Sequence, residues 1–236
     1  MENPFYCDSS GPRFSTLRPK DAAALILVKK ERGTIRVLMG ERNSRHAFLP
    51  GRFVFPGGRI DTADQRLQIA TDFRPEVAAR VAAGTGSARA RGLGFAAIRE
   101  TFEEAGLLVG TAGAEQVRTK SEAWQRFLSH QVAPRLEALD FIARAITPPG
   151  RPRRFDARFF MAGADEIAHH LHPSEASGEL INTSWLTLAQ ARAAAIIPIT
   201  RYILDEVEAR VIDGPDPARP APFFMLRHGK PVIASL

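Results

Sequence analysis

The chain holds a single cysteine, Cys7, in 236 residues. That count excludes an internal disulfide and a cysteine-built zinc cage, and it suits a reducing compartment. Cys7 has no local support as a nucleophile, standing in a proline-punctuated N-terminal stretch. No apolar run approaches the ~18 residues of a membrane span; the longest, 22–28, reads as a buried strand. A secretory signal is not expected, because the first residues lack a basic start and an apolar stretch. The final Ala-Ser-Leu is not the Ser-Lys-Leu peroxisomal address, so a cytoplasmic location is expected. There is also no run of five basic residues and no continuous Lys/Arg stripe. The net charge of +6 therefore permits anionic ligands without predicting a nucleic-acid platform.

What is present suffices for one sizeable domain: 44% of residues are hydrophobic, an ordinary share for a globular core. Residues 1–19 read as an extended segment, 20–212 as the domain and 213–236 as a C-terminal arm with a short strand at 223–226. Strands are expected at 22–28, 34–40, 53–55, 139–146, 155–161 and 179–186, and helices at 75–83, 121–130, 188–195 and 200–210. Residues 84–92 read as a flexible basic linker. Its glycines follow a helix rather than a strand and lack a Lys-Ser/Thr ending, so a phosphate-loop reading fails its context. His169, His170 and His172 match no zinc spacing and are expected in a surface loop or at a helix end.

The densest chemistry lies in Arg99-Glu100-Thr101-Phe102-Glu103-Glu104-Ala105-Gly106-Leu107. On a helix, Glu100, Glu103 and Glu104 fall at about 0°, 300° and 40°, sharing one narrow face. Phe95, Ile98, Phe102 and Ala105 cluster nearly opposite. Gly106 is placed to end the helix in a left-handed conformation. Like charges so crowded repel one another. The face is either a solvated acidic surface or a binding site for a divalent cation.

At these residues the chain resembles the Nudix hydrolases, whose signature reads Gly, five residues, Glu, seven residues, then Arg-Glu-apolar-x-Glu-Glu-x-Gly-apolar. The second half matches from Arg99 to Leu107, with Thr101 at a usually aliphatic position. The first half resembles Gly58 followed by Asp64, with Asp in place of Glu, preceded by the strand-and-turn run Phe53-Val54-Phe55-Pro56-Gly57-Gly58. Thirty-four residues, 65–98, separate Asp64 from Arg99 where the signature has seven. An insertion there, placed at 65–92, and the Arg-Phe-Asp-Ala-Arg-Phe-Phe run at 154–160 are similar to the subset of peroxisomal-type coenzyme A diphosphatases.

The resemblance implies an α/β (α+β) fold, a Nudix-type α/β/α sandwich around a mixed β-sheet. It implies Glu100 and Glu104 as principal metal ligands, Glu103 at a further ion or its water, and a backbone carbonyl at Gly57 or Gly58 in the metal shell. Arg99 would orient the carboxylates through an ion pair with Asp64, and Gly106 would be structural. Such hard oxygen ligands suit Mg²⁺ or Mn²⁺. Glu179 is either a charge at a strand end or an additional acid near the metal, acting as base. Arg151, Arg153 and Arg154 read equally as a solvated loop or as a bidentate grip on phosphates. The implied reaction is metal-dependent attack of water on a diphosphate linkage in a nucleoside diphosphate derivative, with coenzyme A or acyl-coenzyme A preferred. The alternatives are ADP-ribose or NADH-type dinucleotides, or a non-catalytic module that binds a nucleotide or RNA. A small-molecule partner is expected, and a homodimer stays open.

Overall fold

In β1 (Lys20–Glu31), Leu25 and Leu27 point to one side of the sheet and Ile26 and Val28 to the other, and all four are buried. A strand apolar on both faces requires a cover on each. Helices supply both covers. On the first face lie α2 (Pro75–Val81), α3 (Ser87–Ala105) and α4 (Glu122–Ser129), burying Val77, Leu93, Phe102, Trp124 and Phe127. On the second, α5 (Leu188–Ala193) and α6 (Pro198–Asp213) bury Leu188, Ile203, Leu204 and Val207. The computed structural model thus shows an α/β/α sandwich, described here for residues 17–44, 49–113, 117–172 and 177–236. Cys7 and most of the expected N-terminal segment lie outside the described residues.

The large sheet runs β10 (Leu180–Thr187), β2 (Thr34–Arg42), β1, β8 (Phe155–Gly163), β7 (Asp140–Ile146), β11 (Pro222–Arg227), β12 (Lys230–Ser235). β3 (Phe53–Val54) adds to β2 and β4 (Gly57–Arg59) to β1. β1 is parallel to β8 and β11 to β7, while the other pairs are antiparallel, so the sheet is mixed. A three-stranded sheet, β6 (Val132–Pro134), β5 (Leu107–Ala112), β9 (Ile167–His170), stands beyond the C-terminus of α3. Among the described residues no helix is long and apolar enough to cross a membrane.

Three elements differ from the sequence expectations. Residues 87–92 are not a linker but the first turns of α3. Ala88 and Ala90 favour helix, Ala90 is buried, and Arg89 pairs with Asp21 of β1. His169 and His170 lie in β9 rather than a loop or helix end, paired with Leu108 and Leu107 of β5. The chain after 213 forms a β11–β12 hairpin instead of an arm with one short strand, and Phe224 enters the core. The expectation missed the turn at His228-Gly229, where both residues take positive φ.

Candidate active site

Arg99 organises the centre of α3. Its Nε and Nη2 donate to the two oxygens of Asp64 at 2.9 and 3.0 Å. Nη1 donates to Glu100 at 2.8 Å and Glu103 at 2.6 Å, and Nη2 also reaches the Arg59 carbonyl at 3.0 Å. A guanidinium has five N–H groups, and five hydrogen bonds are made. Burial pulls the Arg99 pKa down, but bonding to Asp64 and the charge of Glu100 outweigh it and raise the group above its ordinary value.

Asp64 is equally committed. It closes a capping box at the start of α1 (Thr62–Arg66), accepting from the Asp61 amide at 2.7 Å. It also accepts from the Trp124 indole at 2.8 Å, so four donors converge on a fully buried carboxylate. The first signature half is thereby joined to the second in space. Thr101, the departure from the aliphatic pattern, is buried with its hydroxyl donating to the Ala97 carbonyl at 2.8 Å.

The upstream glycines let the strand approach the helix. At Gly57 a Cβ would lie 2.5 Å from the Ala23 carbonyl oxygen. At Gly58 it would overlap the Glu100 carboxylate. The Gly57 amide donates to Glu104 at 2.8 Å. Glu104 is only 2% exposed, so its face is not a solvated acidic surface. Burial, then the charge of Glu100, pushes the Glu104 carboxyl up to about 8. Burial pushes Glu100 up to about 7 against the opposing pull of Arg99.

Glu100 and Glu104 open onto a cavity of about 630 Å³, with Gly57, Gly58 and Arg99 beside them. Arg153, Arg154 and Glu179 line the same space. Arg151 does not, and neither does Glu103, which is turned toward Arg99. Glu179 stands just before β10, one residue outside the strand expected to contain it, and its amide carbonyl accepts from Asn43 at 3.1 Å. Its charge is among those acting on Glu104. Arg18, Lys20, Arg42 and Arg59 also line the cavity, and sequence reasoning missed all four. The antiparallel 34–42 hairpin strand could have located Arg42, opposite Leu180 and next to Glu179. Nothing in the sequence ties Trp124 to Asp64.

Among the described residues no three His, Cys, Asp or Glu side chains converge as a ready-made metal cage. The donors nevertheless fit a hard dication that keeps much of its water. Two mutually repelling carboxylates, Glu104 buried and Glu100 half-buried, face one cavity, and a missing Cβ at Gly58 leaves room beside them. Glu100 and Glu104, with the Gly57–Gly58 backbone at the rim, are the residues that would hold it.

No family model matches the chain. A Caenorhabditis elegans protein named nudix hydrolase 7 is 30% identical over 172 residues, covering 67% of this chain and 49% of that protein. The chain thus spans about half the length of this curated relative. A NUDIX hydrolase from Alicyclobacillus acidocaldarius shares the fold at a TM-score of 0.59 and 24% identity, over 81% of this chain and 91% of that one. With the carboxylate helix, the glycine turn and their joining through Arg99 and Asp64 in place, the chain has the Nudix fold, and over 172 residues its sequence is similar to that of a nudix hydrolase.

Proposed function

We propose that the protein is a metal-dependent diphosphatase acting on nucleoside diphosphate derivatives. The observation that carries this reading is the pair of a half-buried Glu100 and a buried Glu104 opening on a cavity whose other wall is basic. A bound Mg²⁺ or Mn²⁺ would neutralise the bridging phosphates and make water a better nucleophile. The chain's own residues do the positioning. Arg99, fixed by Asp64, holds Glu100 and Glu103 in place. The Gly57 amide holds Glu104. Glu179 takes the proton of the attacking water, and Arg153 and Arg154, at the basic end of the same cavity, bind phosphate oxygens of the substrate away from the cut bond.

For the substrate we favour coenzyme A or its acyl derivatives, from the 154–160 run and the 65–92 segment. ADP-ribose and NADH-type dinucleotides are the alternatives. A second reading, a nucleotide-binding module without turnover, draws on the lack of three converging ligand side chains among the described residues.

One experiment separates them: mass spectrometry of products from a panel of coenzyme A, ADP-ribose and NADH with Mg²⁺ or Mn²⁺. Release of 3′,5′-ADP and phosphopantetheine from coenzyme A is expected. Glu104→Gln should lower turnover by on the order of 100-fold or more. Undiminished turnover in that variant would remove Glu104 from its role. Saturable nucleotide binding with no turnover on any substrate would favour the module.

A further inference from the structure

The cavity is longer than the diphosphate chemistry needs, and its charge is sorted along its length. β1 measures it. Gly57, bonded to Glu104, pairs with Ala24, and Arg59 pairs with Ala22. At the far end Lys20 pairs with Phe155, and its amide donates to the Arg154 carbonyl. Four residues of extended strand separate the Gly57 level from the Lys20 level, a backbone distance of roughly 13 Å. A diphosphate held at Glu100 and Glu104 is far shorter than that.

The far end is basic. Arg18, Lys20, Arg153 and Arg154 line it, with Arg59 between the two ends, and Asp61 is the one acid in the lining besides Glu100, Glu104 and Glu179. Arg154 is tethered there, donating through Nε to the Thr147 carbonyl at 3.0 Å and through Nη1 to the Leu17 carbonyl at 2.7 Å. Those bonds fix Leu17 and the start of β1 against the 147–154 loop. Among the described residues Arg18, Lys20 and Arg153 pair with no carboxylate. The same is true of cations elsewhere on the surface, such as Arg32 and Arg227, but these three line one cavity together. All three are exposed and line the same cavity, so an anionic group bound there would meet three solvent-accessible cations.

Resting on the diphosphatase reading, we infer that Arg18, Lys20 and Arg153 form a second anion subsite, which takes a phosphate monoester carried on the substrate away from the hydrolysed linkage. The metal face then selects the bond to be cut, and this end selects which diphosphates are cut efficiently.

Matched substrates test it: coenzyme A against dephospho-coenzyme A, and NADPH against NADH, each with Mg²⁺. The phosphorylated member of a pair should be favoured at least tenfold in kcat/KM. The double variant Arg18→Ala/Lys20→Ala should abolish that ratio, chiefly by raising KM for the phosphorylated member. Raising the salt concentration should narrow the wild-type ratio. Equal kcat/KM within both pairs, or a ratio that survives the double variant, overturns the subsite. If no substrate turns over, the hydrolase reading fails by itself. Calorimetry of metal-free protein with adenosine 3′,5′-bisphosphate against AMP then decides the subsite: tighter bisphosphate binding lost in the double variant supports it, and equal binding overturns it.

Discussion

Asp64 shows how far a conservative exchange can be from neutral. The family signature has Glu at this position, yet here the carboxylate is fully buried and takes four hydrogen bonds, one of them its own capping box. Asp64→Glu would add a methylene to a filled site, and overpacking of that kind costs about 1–3 kcal/mol. A lower melting temperature is expected despite the closer match to the signature; an unchanged one would mean the site can relax. The acid pair makes a second prediction. Glu100 and Glu104 titrate near 7 and 8 in the folded chain and near 4.5 when unfolded. Between those values the folded state binds more protons than the unfolded one, so stability falls as pH rises. One pKa unit corresponds to about 1.4 kcal/mol, so the cost reaches several kcal/mol above pH 8. Metal-free protein should melt lower at pH 8.5 than at pH 5.5, and Mg²⁺ should recover more of the loss at the higher pH. Thermal melts with chelator and with Mg²⁺ check both statements.

At the level of single elements, α3 is buried nearly all round, and two of its glycines are there for contact rather than flexibility. At Gly94 a Cβ would lie 2.5 Å from the Phe73 ring and 2.7 Å from Leu136. Helix propensity alone would make Gly94→Ala stabilising by about 1 kcal/mol. The clash should reverse the sign, and chemical denaturation of the variant measures it. α3 also shows what was legible in the sequence. The last two turns, Arg99 to Gly106, could be read because residue types and their spacing specify one face. The N-terminal turns could not, since Gly84, Gly86 and Gly92 suggest a loop when their neighbours are unknown. Gln65, Ile60 and Phe73, which pack against Gly92 and Gly94, come from chain far upstream. The basic cavity wall was only partly visible for the same reason. Arg153 and Arg154 sit in a conspicuous run, whereas Arg18, Lys20 and Arg59 are brought beside them only by strand pairing.

For the molecule as a whole, the sheet does not end at β7. The C-terminal hairpin lies against it, with Phe223 beside Arg144 in register and Phe224 buried on the second face. The Arg144 guanidinium, paired with Asp156, rests 4.3 Å from the Phe223 ring centre. Removing residues 215–236 would bare that strand edge and open the core around Phe224. Loss of a large buried aromatic alone costs about 3–5 kcal/mol, so the truncated chain should melt well below the full one or aggregate. Circular dichroism and light scattering on the two forms make the comparison.

Arg99 and Asp64 also act as a clasp at the ends of a long loop. The cost of closing a flexible loop grows only with the logarithm of its length, so going from seven residues to the thirty-four found here adds about 1.4 kcal/mol. Even that is an upper figure, because α2 and the first turns of α3 pack the loop against the core. Closing the longer loop therefore costs the chain little by itself, and the packed residues within it are what hold it to the core. Between α2 and α3, at 82–86, the chain can be lengthened without moving the carboxylates, because the core residues on either side of it stay in place.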